Sequence, residues 1–198
     1  EAVRESLAIR ERIDGPEAAA IGPALNELAM LLRTKAPDEA VGLYRRAYDL
    51  IVTTHGAPNG DAGILLDNIG AIQTRTRHYQ EARDHLTRAL PLVTRHFGER
   101  DPRVAGVAGN LATVERELGN PRRAIELHNA HAGRFPETPI FRLHSALASA
   151  ALAAVEGRAC TSCSTHFEAL VRASDTPASF GVQGPGEMTI LAGSMAAI

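Results

Sequence analysis

The sequence predicts an all-α fold of antiparallel helical hairpins stacked as a solenoid, and three observations lead to this prediction. The chain resembles itself at a spacing of 42 residues, each copy contains two amphipathic segments, and the composition is rich in alanine. Alanine accounts for 34 of the 198 residues, whereas aromatic residues make up 4% and tryptophan is absent. A core of small and aliphatic side chains favours closely packed helices over a β-sandwich.

The internal repeat is visible in both segments of each copy. In the second segments, residues 39–40 (Glu-Ala) recur as 81–82 (Glu-Ala) and as 123–124 (Arg-Ala). The first segments share an order of apolar, polar, polar, apolar and small residues at 25–29, 66–70 and 108–112. Alignment of Leu28 with Ile69 leaves the first copy one residue shorter before its second helix. Two helices joined by a short turn therefore form the repeating unit.

Proline and glycine mark where the helices begin and end. Pro37 and Pro121 each follow a short polar turn, and proline is well tolerated in the first turn of a helix. Gly/Pro-rich segments at 14–16, 55–60 and 97–102 separate one copy from the next. These signals predict antiparallel hairpins.

The predicted organisation is a run of helical repeats over residues 1–174, followed by a Gly/Pro linker and a short apolar tail over 175–198. The repeats are a partial one at 1–13, a first at 17–56, a second at 60–98, a third at 102–135 and a degenerate fourth at 138–174. The first two residues align with residues 39–40, at the start of a second helix. We therefore expect the chain to be a fragment of a larger protein.

Composition excludes several classes of function. The formal net charge is −2, so no basic surface for nucleic acid or anionic lipid is expected. The longest apolar stretch, 188–198, is too short to span a membrane, and no signal peptide precedes the repeats. With two cysteines, a cytoplasmic location is expected. No catalytic or cofactor-binding motif is present, which predicts a non-enzymatic chain without a cofactor.

Three stretches carry a family resemblance: residues 4–12, residues 79–90 beginning Tyr-Gln-Glu-Ala, and residues 97–105 beginning Phe-Gly-Glu-Arg-Asp-Pro. They resemble the tetratricopeptide repeat family, in particular its 42-residue subclass found in kinesin light chains and bacterial multidomain proteins. The resemblance implies a right-handed superhelical solenoid of about four hairpins. It also implies a protein-interaction module that binds a peptide or a partner domain in a concave groove, as a scaffold or regulatory part of a larger protein.

In this family the first helices line the concave surface, so their residues that face away from the core are the candidate groove residues. Asn68 and Asn110 match a family position that contacts an extended peptide backbone, since an amide offers a donor and an acceptor together. The competing interpretation is an ordinary polar residue that bonds the adjacent repeat. The predicted groove residues are Asn26, Arg33, Asp67, Asn68, Thr74, Asn110, Thr113 and Arg116.

Two other hypotheses belong to different functional classes. The chain could instead be a sensory domain in which a small signalling peptide or another ligand controls an attached catalytic or DNA-binding domain. A metal site is the other, formed by Cys160, Cys163 and His166 with nearby histidines at 128, 131 and 144. Cys163 aligns with the small residue Ala82, so a small buried side chain is the favoured interpretation and no metal is predicted.

The predicted partner is thus a protein or a peptide, with neither nucleic acid nor a membrane. Apolar surface at the ends of the solenoid would also support self-association.

Overall fold

The computed structural model describes residues 2–132, 149–150, 152–153 and 155–157. Within these residues the chain is helical and contains no β-strand. The elements are α1 (Ala2–Asp14), a 3-10 turn (Ala19–Ile21), α2 (Gly22–Leu32), α3 (Pro37–His55), α4 (Gly60–Arg75), α5 (Tyr79–Phe97), α6 (Pro102–Glu117) and α7 (Pro121–Ala132). The chain divides into two compact units, Glu1–Asn110 and Leu111–Ile198.

Local sequence signals set the helix boundaries where proline, asparagine and glycine occur. Pro37 and Pro121 are the first residues of α3 and α7, where the missing N–H costs nothing. At the start of α4, the Asn59 side chain accepts a hydrogen bond of 3.0 Å from the backbone N–H of Ala62. Helix α3 ends at His55 and is followed by Gly56, whose φ of 70° is left-handed and suits glycine.

The turn after α4 departs from this pattern. Arg77 adopts a φ of 63° and is the non-glycine residue with a positive φ in the described part of the chain. This conformation lets the N–H of His78 donate a 2.8 Å hydrogen bond to the carbonyl of Gln73. After α6, the equivalent residue is Gly119, with a φ of 81°. Arginine therefore occupies a position that backbone geometry favours for glycine.

In the first unit, consecutive helices pack against each other: α1 on α2, α2 on α3, α3 on α4 and α4 on α5. The positions predicted to be small are fully buried at Ala29, Ala40 and Ala82, which lets the helices approach closely. Tyr44 and Leu86 occupy equivalent positions of successive repeats and are 1% and 0% exposed, as the alignment predicts. The core is thus built from equivalent residues of each hairpin.

The approach between α4 and α5 is so close that it requires glycine. A Cβ built on Gly70 would lie 2.6 Å from Cγ of Leu86, and one on Gly63 would lie 2.8 Å from Cγ2 of Val93. A Cβ on Gly60 would overlap the His96 side chain. The paired residues are 60 with 96, 63 with 93 and 70 with 86, so the residue number rises along α4 by as much as it falls along α5. This is the register of an antiparallel hairpin.

In the second unit, α7 buries Ala124, Leu127 and His128 on one face. His128 aligns with Tyr44 and Leu86 and is 2% exposed, so α7 buries a histidine where the earlier repeats bury a tyrosine and a leucine. Most of the predicted fourth hairpin at 138–174, and the whole predicted linker and tail at 175–198, lie outside the described residues.

Candidate functional site

Helix α4 presents a single accessible stripe. The residues of the stripe are Ile64, Asp67, Asn68, Ala71 and Thr74, and all the remaining residues between 62 and 74 are buried. Their spacing of three or four residues places them on one side of the helix. Three predicted groove residues, Asp67, Asn68 and Thr74, therefore share one face.

Asp67 and Asn110 meet across α4 and α6 within the first unit. The Asn110 amide Nδ2 donates a 2.9 Å hydrogen bond to Oδ1 of Asp67. Burial raises the pKa of Asp67 from 3.8 to about 6, and the hydrogen bond from Asn110 acts against this rise. The amide of Asn110 thus already bonds to the first helix of the adjacent repeat.

The Asn68 amide is in a different situation. It is half-buried on the stripe and makes no side-chain hydrogen bond with any described residue. One turn and a half along the helix, Thr74 donates its hydroxyl proton to the carbonyl of Gly70 at 2.8 Å. Asn68 is therefore the predicted groove residue of α4 with both donor and acceptor unused.

The two predicted groove residues of the first hairpin, Asn26 and Arg33, differ in solvent exposure. Asn26 is half-buried, and its amide nitrogen lies 3.8 Å from the Met30 sulfur, which is a weak acceptor. Arg33 is exposed at the end of α2, where its backbone carbonyl accepts a hydrogen bond from the Arg75 guanidinium. Two arginines are thus held near each other at the ends of α2 and α4.

Thr113 and Arg116 belong to the second unit. Both are half-buried on α6, and the Arg116 guanidinium forms an ion pair of 2.5 Å with the carboxylate of the adjacent Glu117. An ion pair between sequence neighbours at the surface adds little stability.

A cavity of about 500 Å³ opens in the first unit between α2, α3 and α4. Its floor contains the buried side chains of Ala47, Leu50 and Leu65, and half-buried Ile51 and Ile64 add apolar walls. Asn26 lines it as well, but the remaining lining residues were not among the predicted groove residues. The sequence does contain a signal for this space, because Thr54 is smaller than His96, the residue at the equivalent position of the next repeat.

Two charged residues, Asp61 and Arg103, line the cavity, and the part of it beside them is called its mouth. Arg103 donates two hydrogen bonds of 2.8 Å to the Asp101 carboxylate, and its guanidinium carbon lies 3.4 Å from the centre of the Phe97 ring. The hydrogen bonds from Arg103 lower the pKa of Asp101 to about 2 and raise the pKa of Arg103. Asp61, in the first turn of α4, also lines the cavity and acts on Arg103 through electrostatic attraction.

The metal hypothesis concerns residues that are largely outside the structural description. Cys160, Cys163, His166 and His144 are not among the described residues. Within the part of the chain that is described, no group of three or more His, Cys, Asp or Glu side chains could hold a metal ion. That same part contains no helix whose length and apolar character would allow it to cross a bilayer.

Comparisons with known proteins agree with this architecture. The fold is similar to the crystal structure of BtubC (BKLC) from P. vanneervenii, with a TM-score of 0.63 and 21% sequence identity. That similarity covers 86% of this chain and 68% of the other. None of the curated proteins matches the chain.

The fold thus defines an all-α helical-repeat protein, as the sequence predicts. Residues 61–134 match the family model of the tetratricopeptide repeat. The 42-residue subclass stays a prediction. Tetratricopeptide repeats are non-catalytic scaffolds that serve in general as protein-interaction modules.

Proposed function

We propose that the chain binds a peptide or a partner domain in a groove lined by its first helices, as a scaffold or regulatory part of a larger protein. The observation that carries the proposal is the accessible stripe of α4, where Asn68 offers an unused amide beside the Asp67–Asn110 hydrogen bond. An extended peptide has one donor and one acceptor per residue, and an amide side chain satisfies both.

The roles of the two asparagines differ within this proposal. Asn110 holds Asp67 from α6, so its replacement by alanine would leave a half-buried carboxyl group without its hydrogen-bond donor. A loss of binding in Asn110→Ala could therefore result either from a lost contact with the partner or from a less stable fold. Asn68 makes no such bond with the described residues, so Asn68→Ala tests recognition directly.

The test is affinity capture of partners from the source lysate with the whole chain, followed by mass spectrometry and by affinity measurement on the partner that is found. The variants are Asn68→Ala and a matched control, Asn129→Ala, which removes an exposed asparagine of α7. We expect the partner to bind Asn129→Ala normally and Asn68→Ala about five-fold more weakly, the effect of losing one hydrogen bond.

Equal affinity of both variants, with unchanged melting temperatures, would contradict a role of this groove. Thr113 and Arg116 of the second unit are further proposed contact residues, and Asn26 and Arg33 are those of α2. Their alanine variants test each of these residues separately once a partner is in hand.

A second candidate function is a sensory domain that binds a small signalling peptide or another ligand and controls an attached catalytic or DNA-binding domain. The cavity of about 500 Å³ favours it, because ligand pockets commonly have volumes of about 300–1,000 Å³. Thermal unfolding in the presence of candidate ligands separates the two, since a ligand that binds only the folded chain raises its melting temperature.

A further inference from the structure

The cavity in the first unit lies beside positions whose side chains differ between the first repeat and the second. In the α4–α5 hairpin, Gly60 faces His96 with no room for a Cβ between them. The residues at the equivalent positions of the α2–α3 hairpin are Ala19 and Thr54, and both line the cavity. The space is therefore a feature of these particular side chains and not of the repeat itself.

The interior of the cavity suits an apolar group. Leu50 and Leu65 at its floor are 3% and 5% exposed, and the half-buried Ile64 forms part of its wall. An apolar side chain that enters would exchange water for aliphatic contacts on several sides. The volume of about 500 Å³ is ample for one large side chain together with part of its backbone.

The charges at the mouth do not cancel. The carboxylate of Asp101 takes both hydrogen bonds from Arg103, so that pair is internally compensated. Asp61 makes no hydrogen bond or ion pair with any described residue, although it lies within electrostatic range of Arg103. Because the described residues compensate Arg103 but form no hydrogen bond or ion pair with Asp61, the Asp61 carboxylate favours a cationic neighbour.

The cavity is continuous with the stripe of α4. Ile64 belongs to both, and it precedes Asn68 by one helical turn. A peptide that hydrogen-bonds to Asn68 would thus pass the mouth of the cavity within a few residues.

We propose that this cavity receives a large apolar side chain of the bound peptide, and that Asp61 selects a peptide in which a lysine or arginine adjoins that side chain. This inference rests on the proposed function, because it assigns the chemistry of the peptide that the groove binds. It adds a specificity pocket formed by α2, α3 and α4.

The experiment uses the whole chain and three pools of acetylated and amidated octapeptides. Their two central residues are fixed as Leu-Lys, Leu-Glu or Ser-Lys, and the others are randomised. Thr54→Trp fills the cavity from α3, and Thr53→Trp is its matched control, since Thr53 is the exposed neighbour that does not line the cavity. Asp61→Asn removes the charge at the mouth without changing the shape of the side chain.

We expect the unmodified chain and Thr53→Trp to bind the Leu-Lys pool more strongly than the other two pools. Thr54→Trp should bind the Leu-Lys pool at least tenfold more weakly than the unmodified chain does. In Asp61→Asn, the preference for Leu-Lys over Leu-Glu should fall about three- to five-fold at low salt. Melting curves establish that each variant is folded, and Asp61→Asn tests the inference independently should Thr54→Trp not fold.

The inference is overturned if Thr54→Trp and Thr53→Trp bind the Leu-Lys pool equally, or if no pool is preferred by the unmodified chain. A loss of peptide binding in Asn68→Ala together with full binding in Thr54→Trp would retain the groove and reject the pocket. Failure of the proposed function itself differs from this, because then Asn68→Ala would not affect the captured partner.

Discussion

The α2–α3 and α4–α5 hairpins are built on the same repeat, yet they close the space between their helices differently. Helix α4 begins at Gly60 and places Gly63 and Gly70 directly against α5 side chains. Helix α2 is 11 residues long, against 16 for α4, and begins after a 3-10 turn. Its hairpin borders the open cavity. Gly63 aligns with Gly22, and a Cβ built on Gly22 would meet nothing within 4 Å, whereas one on Gly63 would lie 2.8 Å from Val93. The side chains that face these positions therefore decide whether the helices touch or leave a space.

The largest expected effect breaks the close approach in the α4–α5 hairpin. Gly70→Leu must displace Leu86, whose Cγ lies 2.6 Å from the position of the new Cβ. We expect a loss of about 3 kcal/mol in the free energy of unfolding, measured by urea denaturation. Gly42→Leu on α3 is the control, since nothing lies within 4 Å of a Cβ there. A control as unstable as Gly70→Leu would contradict the packing argument.

A smaller effect comes from Asp67, whose equivalent in α2 is Asn26. The folded-state pKa of Asp67 is about 6 and the unfolded value is 3.8, so the folded chain binds more protons between these values. Stability contributed by this group is present below pH 4 and is lost as the pH rises through 6.

Asp67→Asn retains an acceptor for Asn110 and removes the carboxyl group. At pH 7 we expect it to be about 2 kcal/mol more stable than the unmodified chain, with the difference vanishing near pH 3.5. Urea denaturation at pH 3.5, 5 and 7 measures this. A difference that is independent of pH would show that burial of the charge is not its cause.

The smallest effect concerns the turns of the two hairpins. The turn after α2 contains no positive φ, whereas the turn after α4 holds Arg77 at 63°. Arg77→Gly should relieve this strain and raise the free energy of unfolding by about 0.5 kcal/mol, after the added freedom of glycine in the unfolded chain is subtracted. Thermal unfolding measures the gain, and Arg77→Ala, which keeps a Cβ, should show none.

Much of the fold could be predicted because its signals are local. Pro37 and Gly56 mark the two ends of α3, and the buried alanines of successive repeats follow from a spacing of 42 residues. The face of α4 that carries Asp67, Asn68 and Thr74 follows from helical periodicity and from the apolar residues on the opposite side. These features need only the sequence of one element and its comparison with the next copy.

The site could be predicted only in part, because its details depend on distances between helices. Asn68 and Asn110 occupy the same repeat position, yet one amide is unused by the described residues and the other is bonded to Asp67. The sequence of the first turn of α4 does not indicate that Asp61 borders a cavity. No local pattern distinguishes such cases, since each depends on which side chain the neighbouring helix presents.

The sequence by itself determined the class of this protein, the order of its helices and the residues that are buried between them, because periodicity and helix-ending residues act within one hairpin. The tertiary structure decided that the Asp67 carboxyl group is half-buried and bonded to Asn110, and that a cavity remains where Ala19 and Thr54 replace Gly60 and His96. The physical reason is that interior packing depends on the volumes of side chains from several helices at once, and a difference of a few atoms separates contact from open space.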